Sequence, residues 1–495
     1  MTTRRLPGLR RPLFVLLVAV LLPACGGGGS SGSPGPGPGP APLAFQLLTP
    51  ANAEALAPTR PHFSWEVALG AFSYRIEISN SLNFTTIVLD QVVTTTTWSP
   101  ALPLAGSTPH WWRVRAVNFG GETFATNNPR SFTTVNTANV WGTQGMDARH
   151  GGSNPFETGQ PPLTFAWSTS LGSGALNPVV YEAGRVFVTP YQLYATPAAV
   201  TALDASTGAS LWSHNFGSIF SVGQPAVSGG SVLLQTSNNS IAPASNAWSL
   251  DAAGGTVNWS TAIGSQWENF WAPIVVGNTI YSNGGYYGGL YGRNFSTGVE
   301  TFFLGNPLEQ FDEWSPAYDN GVLYTFIKGS FRAHNPANGA ILWTRTVPWV
   351  FFTYDMKCSP VLDGTRAYVI APPNLHAINL TTQLVDWTVS GLNFSGTVAL
   401  DNGVVFALSG GTLHARDAGS GASLWTFAGD AALNHAPAIA NGYLYVSSNA
   451  NTYAVRLSDH VQVWTAAVGG WLSVAGGKLF IARPDGVLTA YSLTP

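Results

Sequence analysis

Two rhythms of apolar and polar residues divide the chain. From about Leu43 to Val135 apolar side chains alternate with polar ones, as in Phe63, Trp65 and Val67, then Tyr74, Ile76 and Ile78, then the run Trp111 to Val117, and finally Ser131-Phe132-Thr133. A period of two predicts strands with one buried face. Beyond about residue 163 short apolar runs are cut by glycine turns, as at Gly184 before the run Arg185 to Val188, and the stretch Ala202 to Trp212, ALDASTGASLW, recurs in degraded form to the end of the chain. Its parts have separate jobs. Ala202 leaves room for a close neighbour, Asp204 can fold its carboxylate onto turn amides, Gly208 accepts positive φ, and Trp212 is a large flat filler.

Anchored on the tryptophan or its substitute, the repeats fall at Trp167, Trp212, Trp259, Phe302, Trp343, Trp387, Trp425 and Trp464, spaced 38 to 47 residues apart. That period suits one four-stranded unit of a propeller. Several copies have decayed: Gly254 replaces the threonine before Gly255, Asn294 and Phe302 replace Asp and Trp, Gln383 takes a glycine place, and Arg456 and His460 take the Asp and Gly places. Gln383 therefore predicts a different turn or a strained one. Eight inner strands follow the eight anchors, yet the chain ends before the eighth unit has its outer strand. The segment Phe165-Ala-Trp167-Ser-Thr can supply it from the other end, which removes two exposed sheet edges. The expected fold is all-β, an eight-bladed propeller with seven blades as the alternative.

The spacing A-x-D-x-x-T-G-x-x-x-W resembles the tryptophan-docking motif of the PQQ-like β-propeller repeat family, over about residues 141 to 495, with one complete copy. The segment Trp141 to Gly152, containing Asp147 and His150, resembles the lead-in that precedes such repeats. The P-x-F-S-W opening before Val67, YRIEIS, WWRVRAVN and RSFTT resemble a fibronectin type III domain, which implies a β-sandwich serving as a spacer or a weak binding surface. The resulting division is 1–24 signal peptide, 25–42 anchor and tether, 43–135 sandwich, 136–162 lead-in and 163–495 propeller.

At the start of the chain Arg4, Arg5, Arg10 and Arg11 precede the apolar run Leu13 to Leu22, which is too short to span a bilayer and reads as an export signal. Leu22-Pro23-Ala24-Cys25 resembles a bacterial lipobox with proline as a departure, implying a lipidated Cys25; an ordinary signal cut nearby is the alternative. Gly26 stands where that resemblance would place an inner-membrane Asp, so a lipid-anchored protein of the outer membrane is expected. GGGGSSGSPGPGPGPAP, residues 26 to 42, has no side chains for a core and is a tether.

Composition narrows the chemistry. Charged residues make up 9% of the chain and the net charge is −3, with lysine only at 328, 357 and 478, which argues against nucleic-acid binding. Cys358 lies in an apolar run and reads as a buried thiol. The nine histidines show no metal-ligand spacing. Quinoprotein dehydrogenases of the resembling family use PQQ, calcium, a catalytic Asp and adjacent cysteines; none can be matched residue by residue, so neither PQQ nor calcium is expected and no catalytic residue or metal site is assigned.

One feature rises above architecture. Loops joining each outer strand to the next inner strand carry aromatics with acids: Trp267, Glu268 and Trp271, then Asp312, Glu313 and Trp314, then Trp349, Tyr354 and Asp355, with Phe394, His435 and Trp471 at equivalent places. A shared repeat position predicts convergence on one face around a channel mouth. They form either a funnel for a glycan or an aromatic-bearing peptide, or filler between blades. Ala202, Asp204, Gly208, Trp212, Trp167, Trp259, Trp343, Trp387, Trp425 and Trp464 are expected to be structural. The expected function is a non-catalytic, surface- or periplasm-facing lipoprotein acting as a ligand- or protein-binding scaffold; a PQQ-dependent oxidoreductase or a carbohydrate-active protein is the alternative.

Overall fold

The computed structural model describes residues 39–495 except 58–60, 62, 99, 101–103, 107, 135–138, 173, 192, 239–244, 266–267, 306–307, 309–312 and 350–355. The expected export signal, Cys25 and most of the expected tether lie outside the described residues. No helix occurs among the described residues; every regular element is a strand.

Residues 47–134 form two sheets. One runs Leu47–Thr49, Phe63–Trp65, Thr97–Trp98; the other is centred on Pro109–Asn118 between Ser73–Ser79 and Arg130–Thr134. The alternation read from the sequence sets what is buried: Phe63, Trp65, Ile76, Ile78, Trp112, Val114 and Phe132 all point into one core.

From residue 153 to 495, eight sheets follow one another, here numbered I to VIII, each of four strands with an extra short strand in II and VII. Their inner strands are Val180–Glu182, Ala226–Ser228, Ile274–Val276, Ala317–Asp319, Val361–Leu362, Phe394–Asp401, His435–Ala440 and Trp471–Ala475. Sheets I to VII each take their outer strand from the same repeat. Sheet VIII instead takes Gln160–Ser170, which pairs antiparallel with Val487–Thr494, so the earliest strand of the repeat region completes the last sheet. Sheet VIII also meets sheet I, where Ser473 Oγ donates to Val179 O at 2.7 Å and the Tyr181 and Phe480 rings stack at 6.0 Å.

Neighbouring sheets are joined at their outer edges by the repeated motif. The indole Nε1–H of Trp167 donates to Ala205 O at 2.9 Å, Trp212 to Ala252 O at 3.1 Å, Trp259 to Phe295 O at 2.9 Å and Trp387 to Ala418 O at 3.0 Å. Each ring lies on the turn glycine of the next sheet. A Cβ on Gly208 would come within 2.5 Å of Trp167, and one on Gly255 within 2.5 Å of Trp212. Those glycines have φ of 72° each. Asp204 shapes the turn as expected, its Oδ1 accepting from Ser206 N and Thr207 N at 2.9 and 2.8 Å, and the Ser206 hydroxyl above all holds the carboxyl below its ordinary range.

Gln383 keeps the same turn at the cost of strain. Its φ is 61° and its N–H still donates to Asn379 O at 2.9 Å, matching Gly208 N to Asp204 O at 2.8 Å. His460, at φ 62°, stacks its ring on Trp425 at 4.5 Å instead of offering bare backbone. Among the described residues neither Trp343 nor Trp425 makes the indole bond of the other copies.

A second set of links runs along the other end of the inner strands and is invisible in the repeat. The lead-in segment bonds to every sheet in order: Trp141 with Tyr181 in I, Gly142 O with Val227 N in II, Thr143 Oγ1 with Pro273 O before III, Ala148 O with Tyr318 N in IV, Arg149 O with Leu362 N in V, Gly151 O with Leu400 N in VI, Gly152 O with Ile439 N in VII, and Asn154 Nδ2 with Val474 O in VIII. His150 is fully enclosed in this belt, its ring nitrogens 2.6 Å from Gln144 O and 2.9 Å from Pro316 O. Asp147, by contrast, makes a local turn, accepting from Arg149 N at 2.9 Å.

Two outcomes follow. Gly208→Ala should lower unfolding free energy by about 2–5 kcal/mol, combining left-handed backbone strain with overpacking against Trp167. Gln383→Gly should be neutral to stabilising by up to about 1 kcal/mol, since relief of the same strain exceeds the entropy glycine adds to the unfolded chain. Urea midpoints on the two variants check the pair, and equal destabilisation would contradict this account of the turn.

Stability should also fall in acid through His334. Its Nδ1 lies 2.9 Å from Gly339 O and its Nε2 2.9 Å from Thr325 Oγ1, so the neutral ring donates to the carbonyl and accepts from the hydroxyl. Burial pushes it down to about 4. The unfolded ring binds its proton near 6.5, so the contribution is complete above that pH and is lost as pH falls toward 4, about 3 kcal/mol in all. His334→Gln should lessen the dependence of the melting temperature on pH between about 7.5 and 4, the remainder coming from groups such as His376, which burial likewise pushes down to about 4; a slope equal to that of the parent chain would exclude His334 as a source.

Candidate ligand-binding site

The inner strands run from a cavity at one end to the belt at the other. His435 lines the cavity while Ile439, four residues on, bonds to the belt, and Trp471 and Val474 repeat the arrangement in sheet VIII. The cavity has a volume of about 1020 Å³, and residues of all eight sheets or their incoming loops line it, from Leu176 and Tyr191 through Gln224, Trp271, Glu313 and Lys357 to Phe394, His435 and Trp471.

The expected site residues separate into three groups. Trp271 and Glu313 line the cavity. Glu268 and Trp314 are buried without lining it. The Glu268 backbone carbonyl accepts from Ser221 Oγ at 2.5 Å, and Trp314, 1% exposed, belongs to the core between sheets III, IV and V. Trp349 packs beside Phe326 at 6.1 Å against that same core. The reason is local: in residues 313–315 the left-handed Glu313, φ 54°, turns its own side chain to the cavity and the next one inward, while Ser315 Oγ ties the strand to Ala272 O at 2.6 Å. For Trp314 and Trp349 the filler reading therefore fits their burial. Trp267, Asp312, Tyr354 and Asp355 lie outside the described residues, as does Cys25. Cys358 is buried, and burial pushes its thiol up to about 12.

Two polar arrangements stand at the cavity wall. Tyr191 Oη donates to Glu313 Oε1 at 2.5 Å, and Lys357 Nζ lies 3.7 Å from Glu313 Oε2. Across the sequence, His435 Nε2 meets Asn449 Oδ1 at 2.9 Å and its ring stands edge-on to Trp471 at 4.8 Å. Burial lowers the His435 pKa, with the Asn449 bond opposing, which keeps the ring neutral at pH 7. Amide side chains of Gln224, Asn393, Asn434 and Asn449 complete a lining that is mainly apolar with scattered neutral hydrogen-bonding groups. The repeat position marked Phe394, His435 and Trp471 in advance. Tyr191, Gln224 and the asparagines carry no aromatic-acidic signature, and only their distance from the next inner strand could have pointed to them.

Among the described residues no group of three His, Cys, Asp or Glu side chains is placed to hold a metal ion. In the described lining, Glu313 is the one carboxylate and Lys357 the one fixed cation.

Successive four-stranded antiparallel sheets around such a cavity define a propeller-like repeat protein. Segments 157–302, 246–427 and 409–494 match the family described as outer membrane protein assembly factor BamB, and since together they span 157–494, well over half of the sequence, the chain belongs to that family. The crystal structure of BamB from Moraxella catarrhalis is similar over 67% of this chain and 100% of that one, with TM-score 0.54 and 17% identity. A europium-containing methanol dehydrogenase is similar over 72% of this chain and 98% of that one, at TM-score 0.60 and 12% identity. Quinohemoprotein alcohol dehydrogenase from Comamonas testosteroni covers 71% of this chain and 80% of its own length, at TM-score 0.56 and 12% identity. At these identities the likeness is one of fold. Among curated proteins none matches the sequence.

Tyr191→Phe should cost about 1–3 kcal/mol, because Glu313 stays buried with one donor fewer. Chemical denaturation checks this, and a change below about 0.5 kcal/mol would mean that the carboxylate is served by water at that position.

Proposed function

We propose that this chain is a non-catalytic binding module of the bacterial cell envelope, held to a membrane through lipidated Cys25, which receives a protein segment or glycan at the cavity formed by its propeller. In this reading the eight sheets are the blades of one closed ring, residues 43–135 are a fibronectin type III-like spacer, and the anchor sits in the outer membrane. The observation that carries it is the lining, to which every sheet or its incoming loop contributes and which combines the rings of Tyr191, Trp271, Phe394 and Trp471 with the amide residues Gln224, Asn393, Asn434 and Asn449. Such a surface suits reversible contact with a ligand more than bond-making. Membership of the family described as an outer membrane assembly factor supports the envelope setting and a protein partner.

The likeness to quinoprotein dehydrogenases favours a second reading, oxidation of an alcohol with PQQ and calcium. The described lining fits it poorly. PQQ is a tricarboxylate and needs several cationic or donor groups around it, whereas Lys357 is the one fixed cation and already lies beside Glu313. Calcium takes six to eight oxygens, including carboxylates, and Glu313 is the one carboxylate there.

The two readings separate in one set of measurements. Titration with neutral oligosaccharides and aromatic-bearing peptides should perturb tryptophan fluorescence, and Lys357→Ala, a change at an exposed side chain, should alter affinity severalfold while moving the melting temperature by less than about 2 °C. Dye reduction and a shifted quinone absorbance on adding PQQ and calcium, with no response to the glycans or peptides, would replace the binding module with the oxidoreductase.

A further inference from the structure

One end of the 43–135 unit carries an apolar cluster that its fold does not use. Leu69 is 70% exposed, Phe72 62% and Phe119 86%, with Leu43 beside them at 59%. The Phe72 and Phe119 rings meet edge-on at 5.2 Å, and Leu43 N donates to Leu69 O at 2.9 Å, so these side chains form one patch across two loops. No charged residue occurs in 67–72 or in 116–121. The acids that flank the loops are engaged: Glu66 Oε2 accepts from Gln46 N at 3.0 Å and Glu122 pairs with Arg115 at 3.0 Å.

What covers this patch is indicated by where the tether arrives. Asn118 Nδ2 donates to Pro40 O at 3.0 Å and to Gly70 O at 2.8 Å, and Thr123 Oγ1 donates to Pro42 O at 2.6 Å. These bonds fasten the end of the tether across the same two loops. From Cys25 to Pro40 the Gly- and Pro-rich segment can span about 45 Å, at ~3.1 Å per residue. A chain anchored at Cys25 is therefore tied to the lipid through this end of the sandwich, with the exposed aromatics within reach of the bilayer.

We propose that Leu69, Phe72 and Phe119 form a membrane-contacting surface that enters the interfacial layer of the bilayer. The orientation rests on the anchored reading of Cys25; the affinity of the surface for lipid does not. Interfacial insertion of apolar side chains adds to a lipid chain's own hold on the membrane and fixes the attitude of the body above it. Each ring withdrawn from the surface should weaken partition about tenfold.

The test uses the processed chain from position 25 with Cys25→Ser, so that no acyl chain contributes, mixed with vesicles of phosphatidylethanolamine and phosphatidylglycerol. Because Cys358 is buried, Phe119→Cys provides a single accessible thiol for an environment-sensitive fluorophore, and Thr207→Cys, in an exposed turn of sheet I, provides the control. A blue shift at 119 that nitroxide-bearing lipids quench, with none at 207, is the expected result, and adding Leu69→Ser with Phe72→Ser should reduce it by about tenfold or more. An unshifted probe at 119 in excess lipid overturns the proposal. A shift that grows with protein concentration in the absence of lipid also overturns it, in favour of contact between copies. The mass of the exported parent chain tests acylation of Cys25 separately, so loss of the anchored reading is distinguishable from loss of the surface.

Discussion

The contact on which the repeat region depends is an indole lying flat on a glycine of the next sheet. It demands three things of the chain together: a residue without Cβ, a left-handed turn and a broad ring with one donor. Gly208 and Trp167 meet all three, since a Cβ there would collide with the ring while the Nε1–H reaches Ala205 O. Where one requirement lapses the others bend. Phe302 keeps the flat contact with Gly339 and gives up the donor, whereas His460 abandons bare backbone and offers its own ring to Trp425.

That dependence explains what could be read in the sequence. Gly and Trp are specific demands, so spacing alone located the sheets, and the need to finish sheet VIII pointed to the strand around Trp167. The belt made by residues 141–154 was not legible, because most of its bonds to the sheets run between backbone groups and carry no residue pattern. Thr143, His150 and Asn154 act through their side chains, and three separate polar residues are not a pattern.

The candidate site was legible in place more than in direction. Repeat position put Trp271, Glu313, Trp314 and Trp349 at one end of neighbouring sheets, yet they lie in the loops before the inner strands, where no regular alternation of faces holds and a single left-handed residue changes which neighbour looks inward. Glu313 is that residue, and it sends Trp314 into the core. Aromatic content could not separate a ring that fills from a ring that lines, since both remove apolar surface from water. The amides were missed for the opposite reason: Gln224, Asn393 and Asn434 resemble ordinary loop residues until the cavity is seen.

Fastening the sheets at both ends secures the frame by contacts that do not run through the cavity mouth. Docking holds the outer edges, the belt holds the lower ends of the inner strands, and hydroxyl bonds such as Thr189 Oγ1 to Gly223 O and Ser447 Oγ to Gly470 O link neighbouring sheets between them. Side chains at the mouth can then change at a local cost, such as that of leaving Glu313 without the Tyr191 hydroxyl, while the frame holds. This accounts for how a common propeller fold supports a dehydrogenase in one protein and an assembly factor in another. Trp271, the Tyr191–Glu313–Lys357 cluster and the His435–Asn449 pair differ from one sheet to the next while the docking residues repeat, and it is on them that the proposed binding reading places specificity.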